Sequence, residues 1–306
     1  MASSITRLPV VHHPAYQASL RPGHRFPMGK FRRLAEVLVE KKIVDAERFF
    51  APVEAPAGWL LLAHDPAYVT AVLGGTVDAS IERRIGFSVD AAVARRARLA
   101  ASGTLLAARL ALEAGIACNT AGGGHHAAFG HGAGFCVFND VAIAARVLLA
   151  EGAVGRVAVI DCDVHQGDGT AAIFSGDERV FTVSVHAESN FPARKVAGDL
   201  DIGLPDETGD DGYLAVLEAH LPAVIDRIRP ELVFYNAGVD PHGDDHLGRL
   251  ALTDGGLRAR DDLILRECLK RNVAVAGVIG GGYGDDIDTL ARRHAILHET
   301  AAGLVP

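Results

Sequence analysis

Asp161-Cys162-Asp163-Val164-His165-Gln166-Gly167-Asp168-Gly169 follows directly on Val157-Ala158-Val159-Ile160. A short, wholly apolar run of this kind reads as a strand buried on both faces of a parallel sheet. Three carboxylates and a histidine at its end are costly to desolvate unless a cation or a hydrogen-bond network receives them. Alternate residues of extended backbone face one way, so Asp161, Asp163 and His165 can converge. Aspartate and imidazole are ordinary zinc ligands. The stretch therefore implies a parallel sheet and a metal site at the carboxyl end of one strand. The plain alternative, an internal ion-pair cluster, needs more nearby basic residues than the flanking sequence supplies.

The same design recurs along the chain. Strands are expected over 116–120, 157–160, 180–185, 232–235 and 273–279. Helices are expected over 91–113, 141–150, 213–228, 255–271 and 285–300. Alternating strands and helices imply an α/β fold with a mostly parallel central sheet covered on both faces. Each strand ends in glycine or polar residues, and ligands of such sheets bind beyond the carboxyl ends of the strands. His125, His126, Asp161, Asp163, His165, Asp240 and Tyr283 are thereby drawn to one crater. His298, on the closing helix, reads as an exposed histidine. The first ninety residues are less regular, with His64-Asp65-Pro66-Ala67-Tyr68 reading as a loop that opens a helix.

The chain has 306 residues, enough for a deep core, and no linker or repeat divides it, so residues 1–306 read as a single domain. Apolar residues make up 49 %, which suits a globular enzyme. The formal charge is −8, without a basic stripe, which argues against direct nucleic-acid binding. Cys118, Cys136, Cys162 and Cys268 form no CxxC pair, which fits a reduced, cytoplasmic setting. The proline-broken start does not read as a signal peptide, and no apolar run approaches the ~18 residues of a membrane span. No feature specifies an oligomeric state.

The chain resembles the zinc-dependent histone deacetylase superfamily. The likeness rests on Gly124-His125-His126, Gly134-Phe135-Cys136 followed by Asn139-Asp140, residues 161–169, Val183-Ser184-Val185-His186, Asn236-Ala237-Gly238-Val239-Asp240 and Gly280-Gly281-Gly282-Tyr283. These motifs stand in family order over roughly residues 115–290. His24-Arg25-Phe26-Pro27 and the 64–68 stretch extend the likeness more weakly. Gln166, and the run Tyr235–Asp240 continuing to Leu247-Gly248, are most similar to the class IV deacetylases and their bacterial relatives.

The resemblance implies an arginase/deacetylase-like, three-layer α/β/α fold. It implies a hydrolase that removes acetyl or longer acyl groups from lysine side chains, with acylated lysine in a peptide or protein as its partner. By resemblance, Asp163, His165 and Asp240 hold Zn2+. That oxygen-rich set also suits Fe2+. His126 would move protons with Asp168 behind it, His125 would act as an electrostatic partner with Asp161 behind it, and Tyr283 would donate to the oxyanion. Gly134, Phe135 and Phe191 would line a tunnel for the lysine stem. Asp161, Asp163, His165, Ser184 and Val185 would bind structural K+. The glycines before Tyr283 suggest a mobile loop. Leu247 stands where acetylpolyamine-selective relatives carry a glutamate, which favours acyl-lysine over a small-molecule amide. An acetylpolyamine amidohydrolase and a non-catalytic acyl-lysine binding module are the alternative readings.

Overall fold

The computed structural model describes residues 7–21 and 23–305, so residues 1–6 of the start examined for a leader lie outside it. The sheet has seven strands: β1 (Val10–Val11), β2 (Ile116–Asn119), β3 (Val157–Asp161), β4 (Val180–Ala187), β5 (Leu200–Leu204), β6 (Leu232–Asn236) and β7 (Ala274–Val278). They run in the order β1-β2-β7-β6-β3-β4-β5, and every neighbouring pair is parallel. Four short helices precede the regular part: α1 (Lys30–Glu40), α2 (Ala57–Leu60), α3 (Pro66–Gly74) and α4 (Ala79–Ile85). Then come α5 (Ala91–Ala114), α6 (Asp140–Ala150), α7 (Asp168–Phe174), α8 (Asp210–Ile228), α9 (Asp254–Leu269) and α10 (Ile287–Ala302). One layer contains α5 and α6, and the other places α1, α10, α9 and α8 side by side in that order.

The expected strands and long helices are present, with ends displaced by a few residues. Two strands were not anticipated. β1 has two residues and no pattern to read. β5 is an edge strand with only its last residue buried, so it lacks the apolar signature of its neighbours. The acidic motif itself starts a helix: Gly167 precedes α7, and Asp168 occupies its first position.

Strand order decides where chemistry can sit. After β3 the chain crosses to β4 on one side, and after β6 it crosses to β7 on the other. The connections diverge between β3 and β6, which pair directly through Asp161 and Asn236. A crevice opens where such connections part. The acidic motif and the Asn236–Asp240 stretch leave these two strand ends. Behind them the sheet is solidly packed: β3, β6 and β7 are buried at every position. Among the described residues no helix is long and apolar enough to cross a membrane. All four cysteines are free.

Candidate active site

Asp163, His165 and Asp240 are buried, and one potential ligand atom from each lies within 4.8 Å of the other two. His165 Nδ1 is 2.9 Å from Asp163 Oδ1 and 3.2 Å from Asp240 Oδ2. Backbone amides fix the outer oxygens: Gly281 N donates to Asp163 Oδ2 at 2.7 Å and Val164 N to Asp240 Oδ1 at 2.9 Å. Asp240 Oδ2 remains a buried oxygen without a hydrogen bond. Burial and the adjacent Asp163 charge push the Asp240 carboxyl up to about 7. Burial alone would lower His165, but Asp163 and Asp240 outweigh it and raise the imidazole to about 10. The set thus draws in positive charge and leaves one oxygen unsatisfied, which fits a divalent cation held by one nitrogen and carboxylate oxygens. Gly281 lets the opposing backbone close on these ligands, since a Cβ there would stand 2.1 Å from Asp240 Oδ2.

Two histidine–carboxylate pairs lie beside this set. His125 Nδ1 is 2.7 Å from Asp161 Oδ2, and His126 Nδ1 is 2.6 Å from Asp168 Oδ1. Their proton affinities diverge. Burial opposes charge on His125, but Asp161 and Asp163 raise it to about 9. Burial and the neighbouring His125 lower His126 to about 4, against the pull of Asp168. A neutral His126 that donates from Nδ1 to Asp168 keeps Nε2 as an acceptor. Asn236 Nδ2 donates to Asp161 Oδ1 at 2.9 Å, which secures the carboxylate behind His125.

The histidine loop is braced from several sides. Asp140 accepts from Gly124 N at 2.6 Å and from Gly123 N at 3.1 Å. His64 ties the loop to α6: its Nδ1 donates to Ala128 O at 3.0 Å, and its Nε2 accepts from Asn139 N at 3.0 Å. The weak N-terminal motif at 64–68 thus serves the site as a brace, with Asp65 capping α3.

Tyr283 is buried, and burial together with Asp163 and Asp240 raises its phenol well above the ordinary range. Its loop is pinned rather than free. Lys30 Nζ donates to Gly280 O at 3.2 Å and Gly282 O at 3.3 Å, while Tyr283 N donates to Asp245 Oδ2 at 2.6 Å. The glycines serve close packing here. Phe135 lies 5.7 Å from the Tyr283 ring and nearly parallel to Phe87. Phe191 is exposed and stands edge-on to His126 at 4.8 Å. Gly134 is in the left-handed region, and a Cβ there would stand 2.4 Å from His126 Cδ2. Leu247 is half-buried, and its carbonyl accepts from Asn190 Nδ2 at 2.7 Å. Ser184 Oγ lies 2.9 Å from His186 Nδ1.

Sequence reading missed the supports behind the site. Arg260 of α9 is fully buried, and its Nη1 donates to Cys162 O at 3.1 Å and Gly238 O at 2.7 Å. Asp261 balances that charge, at 3.0 Å from Arg260 Nε and 2.9 Å from Nη2. Gln166 holds Val196 through both its backbone groups. The links from Arg260 to Cys162 and Gly238 and from Gln166 to Val196 carry no local signal, since those partners are distant in sequence. His298, expected to be exposed, is fully buried. It shares the inward face of α10 with His294 four residues earlier, whose carbonyl is 3.2 Å from His298 Nδ1.

A family model described as the histone deacetylase domain matches residues 24–298. An uncharacterized protein of Picosynechococcus sp. is 50% identical over 293 residues, covering 96% of this chain and 98% of that one. Histone deacetylase 2 of Arabidopsis thaliana is 29% identical over 313 residues, covering 95% and 81%. Among solved structures, the HDA15 HD domain matches with a TM-score of 0.82 at 21% identity, covering 98% of this chain and 90% of that one. The last likeness is one of fold.

Proposed function

The chain belongs to the histone deacetylase family, and we propose that it is one catalytic domain, a zinc-dependent amidohydrolase that removes acyl groups from lysine side chains. One observation carries the reading: the buried Asp163–His165–Asp240 set, with its unsatisfied Asp240 oxygen, adjoins the His126–Asp168 pair and a buried tyrosine. Zn2+, with Fe2+ as the alternative ion, would be held by those three residues. When bound, it supplies Lewis acidity that polarises the amide carbonyl and makes water a better nucleophile.

The protein's own groups do the rest. His126 Nε2 accepts the proton of the attacking water and returns a proton to the leaving amine, while Asp168 holds its tautomer. His125 carries positive charge beside the developing oxyanion, secured by Asp161. The Tyr283 hydroxyl donates to that oxyanion, and its raised pKa keeps the proton on the phenol. Lys30 and Asp245 hold the tyrosine loop in place. Gly134, Phe135 and Phe191 enclose the lysine stem. The cavity bordered by His125, Phe135 and Tyr283 measures about 60 Å³. By that measure it takes roughly four water-sized groups, which favours a short acyl group. The carbonyls of Asp161, Asp163, His165 and Val185 with the Ser184 hydroxyl are the proposed K+ site, and Ser184 Oγ has a second lone pair beyond its contact with His186.

A peptide substrate is favoured over an acylated polyamine. Leu247 offers no charge to a distal ammonium, and the nearby Asp245 carboxylate is occupied by the amides of Leu247, Gly248 and Tyr283. The test compares kcat/KM for an acetyl-lysine peptide, a longer acyl-lysine peptide and N8-acetylspermidine. The acetyl peptide is expected to be fastest, with Leu247→Glu shifting the ratio toward the polyamine. A wild-type preference for the polyamine, unmoved by Leu247→Glu, would replace this reading with a small-molecule deacetylase.

A further inference from the structure

The chain is acidic, and its basic side chains are mostly neutralised. Of its 30 lysines and arginines, eighteen pair with a carboxylate within 4 Å. Six of the remaining twelve are Arg21, Arg25, Arg83, Arg84, Arg194 and Lys195. They fall in three segments that border Phe135 and Phe191.

The contacts place them there. The Arg25 guanidinium lies 5.2 Å from the Phe135 ring centroid. Arg84 and Ile85 pair by backbone with the same loop, their carbonyls accepting from Gly134 N and Phe135 N at 3.0 and 2.8 Å. Arg21 and Arg83 line a groove with His24 and Phe87, two of the rings that pack on Phe135. Lys195 Nζ donates to Asn190 O and Pro192 O at 2.6 and 2.9 Å, on either side of Phe191, and Arg194 adjoins it. All but the half-buried Lys195 are exposed.

The carboxylates on this face offset them only in part: the Asp78 charge acts on Arg83, and Asp90 lines the same groove. Asp168 is taken by His126, Asp245 by three backbone amides, and Glu82 by the amide of Val89. Glu188, whose charge acts on Lys195, and Asp285 are exposed acids on the neighbouring loops. Six cations, two adjacent in each of two segments, repel one another, and a partner of opposite sign relieves that repulsion.

We infer that the substrate is an acyl-lysine whose flanking residues are acidic, the mouth cations binding aspartate and glutamate side chains on both sides of it. The inference rests on the acyl-lysine reading above and narrows it. Backbone and acidic side chains of a bound peptide would cross Phe135 and Phe191 where these cations stand. A polycationic amine would meet repulsion at the same place.

The test uses three peptides with one central acetyl-lysine and aspartate, alanine or lysine at the two positions on each side. The zinc-loaded full chain is expected to favour the aspartate over the lysine peptide by at least tenfold in kcat/KM at low salt, the difference residing in KM. Raising the salt to about 0.5 M should shrink the ratio several-fold, because exposed charges are screened beyond a few ångströms there. Arg83→Glu with Arg84→Glu should erase or invert the ratio. This pair touches no wall ring, so the variant stays folded where Arg25→Glu disturbs Phe135. Equal rates on the three peptides, or an acidic preference unmoved by the charge reversal, would overturn the inference alone. No turnover of any peptide would overturn the acyl-lysine reading and this inference with it. Inhibition by a short single-stranded oligonucleotide, at concentrations where a non-acetylated aspartate peptide has no effect, would assign the cations to nucleic acid and overturn it as well.

Discussion

His125 and His126 are chain neighbours with ring centroids 4.1 Å apart, yet one is raised to about 9 and the other lowered to about 4. The difference comes from what each faces: His125 meets Asp161 and Asp163, whereas His126 meets Asp168 and the positive charge of His125. Two adjacent histidines after three glycines are legible in the sequence, but this division depends on partners 36 and 42 residues away. His126→Ala is therefore expected to lose more kcat than His125→Ala, and the reverse order in a steady-state comparison would exchange their roles. Tyr283→Phe should retain zinc and lower kcat by ~10²–10³-fold, with a much smaller effect on KM, as expected for one lost oxyanion donor. An unchanged kcat would make Tyr283 structural. His298 shows where residue-level reading fails. A histidine near a chain end passes for a surface residue, but helical periodicity puts it with His294 on the face that packs inward.

At the scale of elements, the regular strands and long helices were legible because apolar runs and 3.6-residue patterns mark them directly. β1 and β5 were not, one for shortness and the other for its polar edge. The supports of the site were also invisible. Arg260 joins α9 to the loops leaving β3 and β6, donating to carbonyls one residue before Asp163 and two before Asp240. The guanidinium continues the sheet's hydrogen bonding past the last strand pair and fixes the separation of two proposed metal ligands. Loss of such an outer support typically costs 10–100-fold in metal affinity. Arg260→Lys keeps a charge but loses the planar fork, so it should weaken zinc binding by about 10-fold or more. Chelator competition on folded protein measures this, and an affinity equal to wild type would reduce Arg260 to core packing.

Across the whole molecule, the mixed charges at the interior give stability a distinct pH dependence. His12, His64 and His298 are lowered to about 4 by burial, and His294 is lowered well below its ordinary value. An unfolded chain takes up these protons as pH falls through about 6.5, but the folded chain does not. Their contribution is complete above about pH 6.5 and is lost as pH falls toward about 4. His126, His13, His186 and His242 are also lowered and add to this loss, whereas in the metal-free protein the raised carboxyls of Asp140, Asp240, Asp245 and Asp261 oppose it, four groups against eight. The melting temperature of metal-free protein should therefore fall steadily from pH 6.5 to 4, and a flat profile would contradict the neutral state of these histidines. The central claim is that Asp163, His165 and Asp240 hold a catalytic metal between β3 and β6. Its most direct test titrates metal-free wild type and Asp240→Asn with zinc, following bound metal and hydrolysis of an acetyl-lysine peptide together. Wild type should take up one zinc in the active-site set and gain turnover in proportion. Folded Asp240→Asn should bind zinc at least ~10-fold more weakly and stay inactive at saturation. Turnover by metal-free wild type, or full activity in Asp240→Asn, would contradict the account.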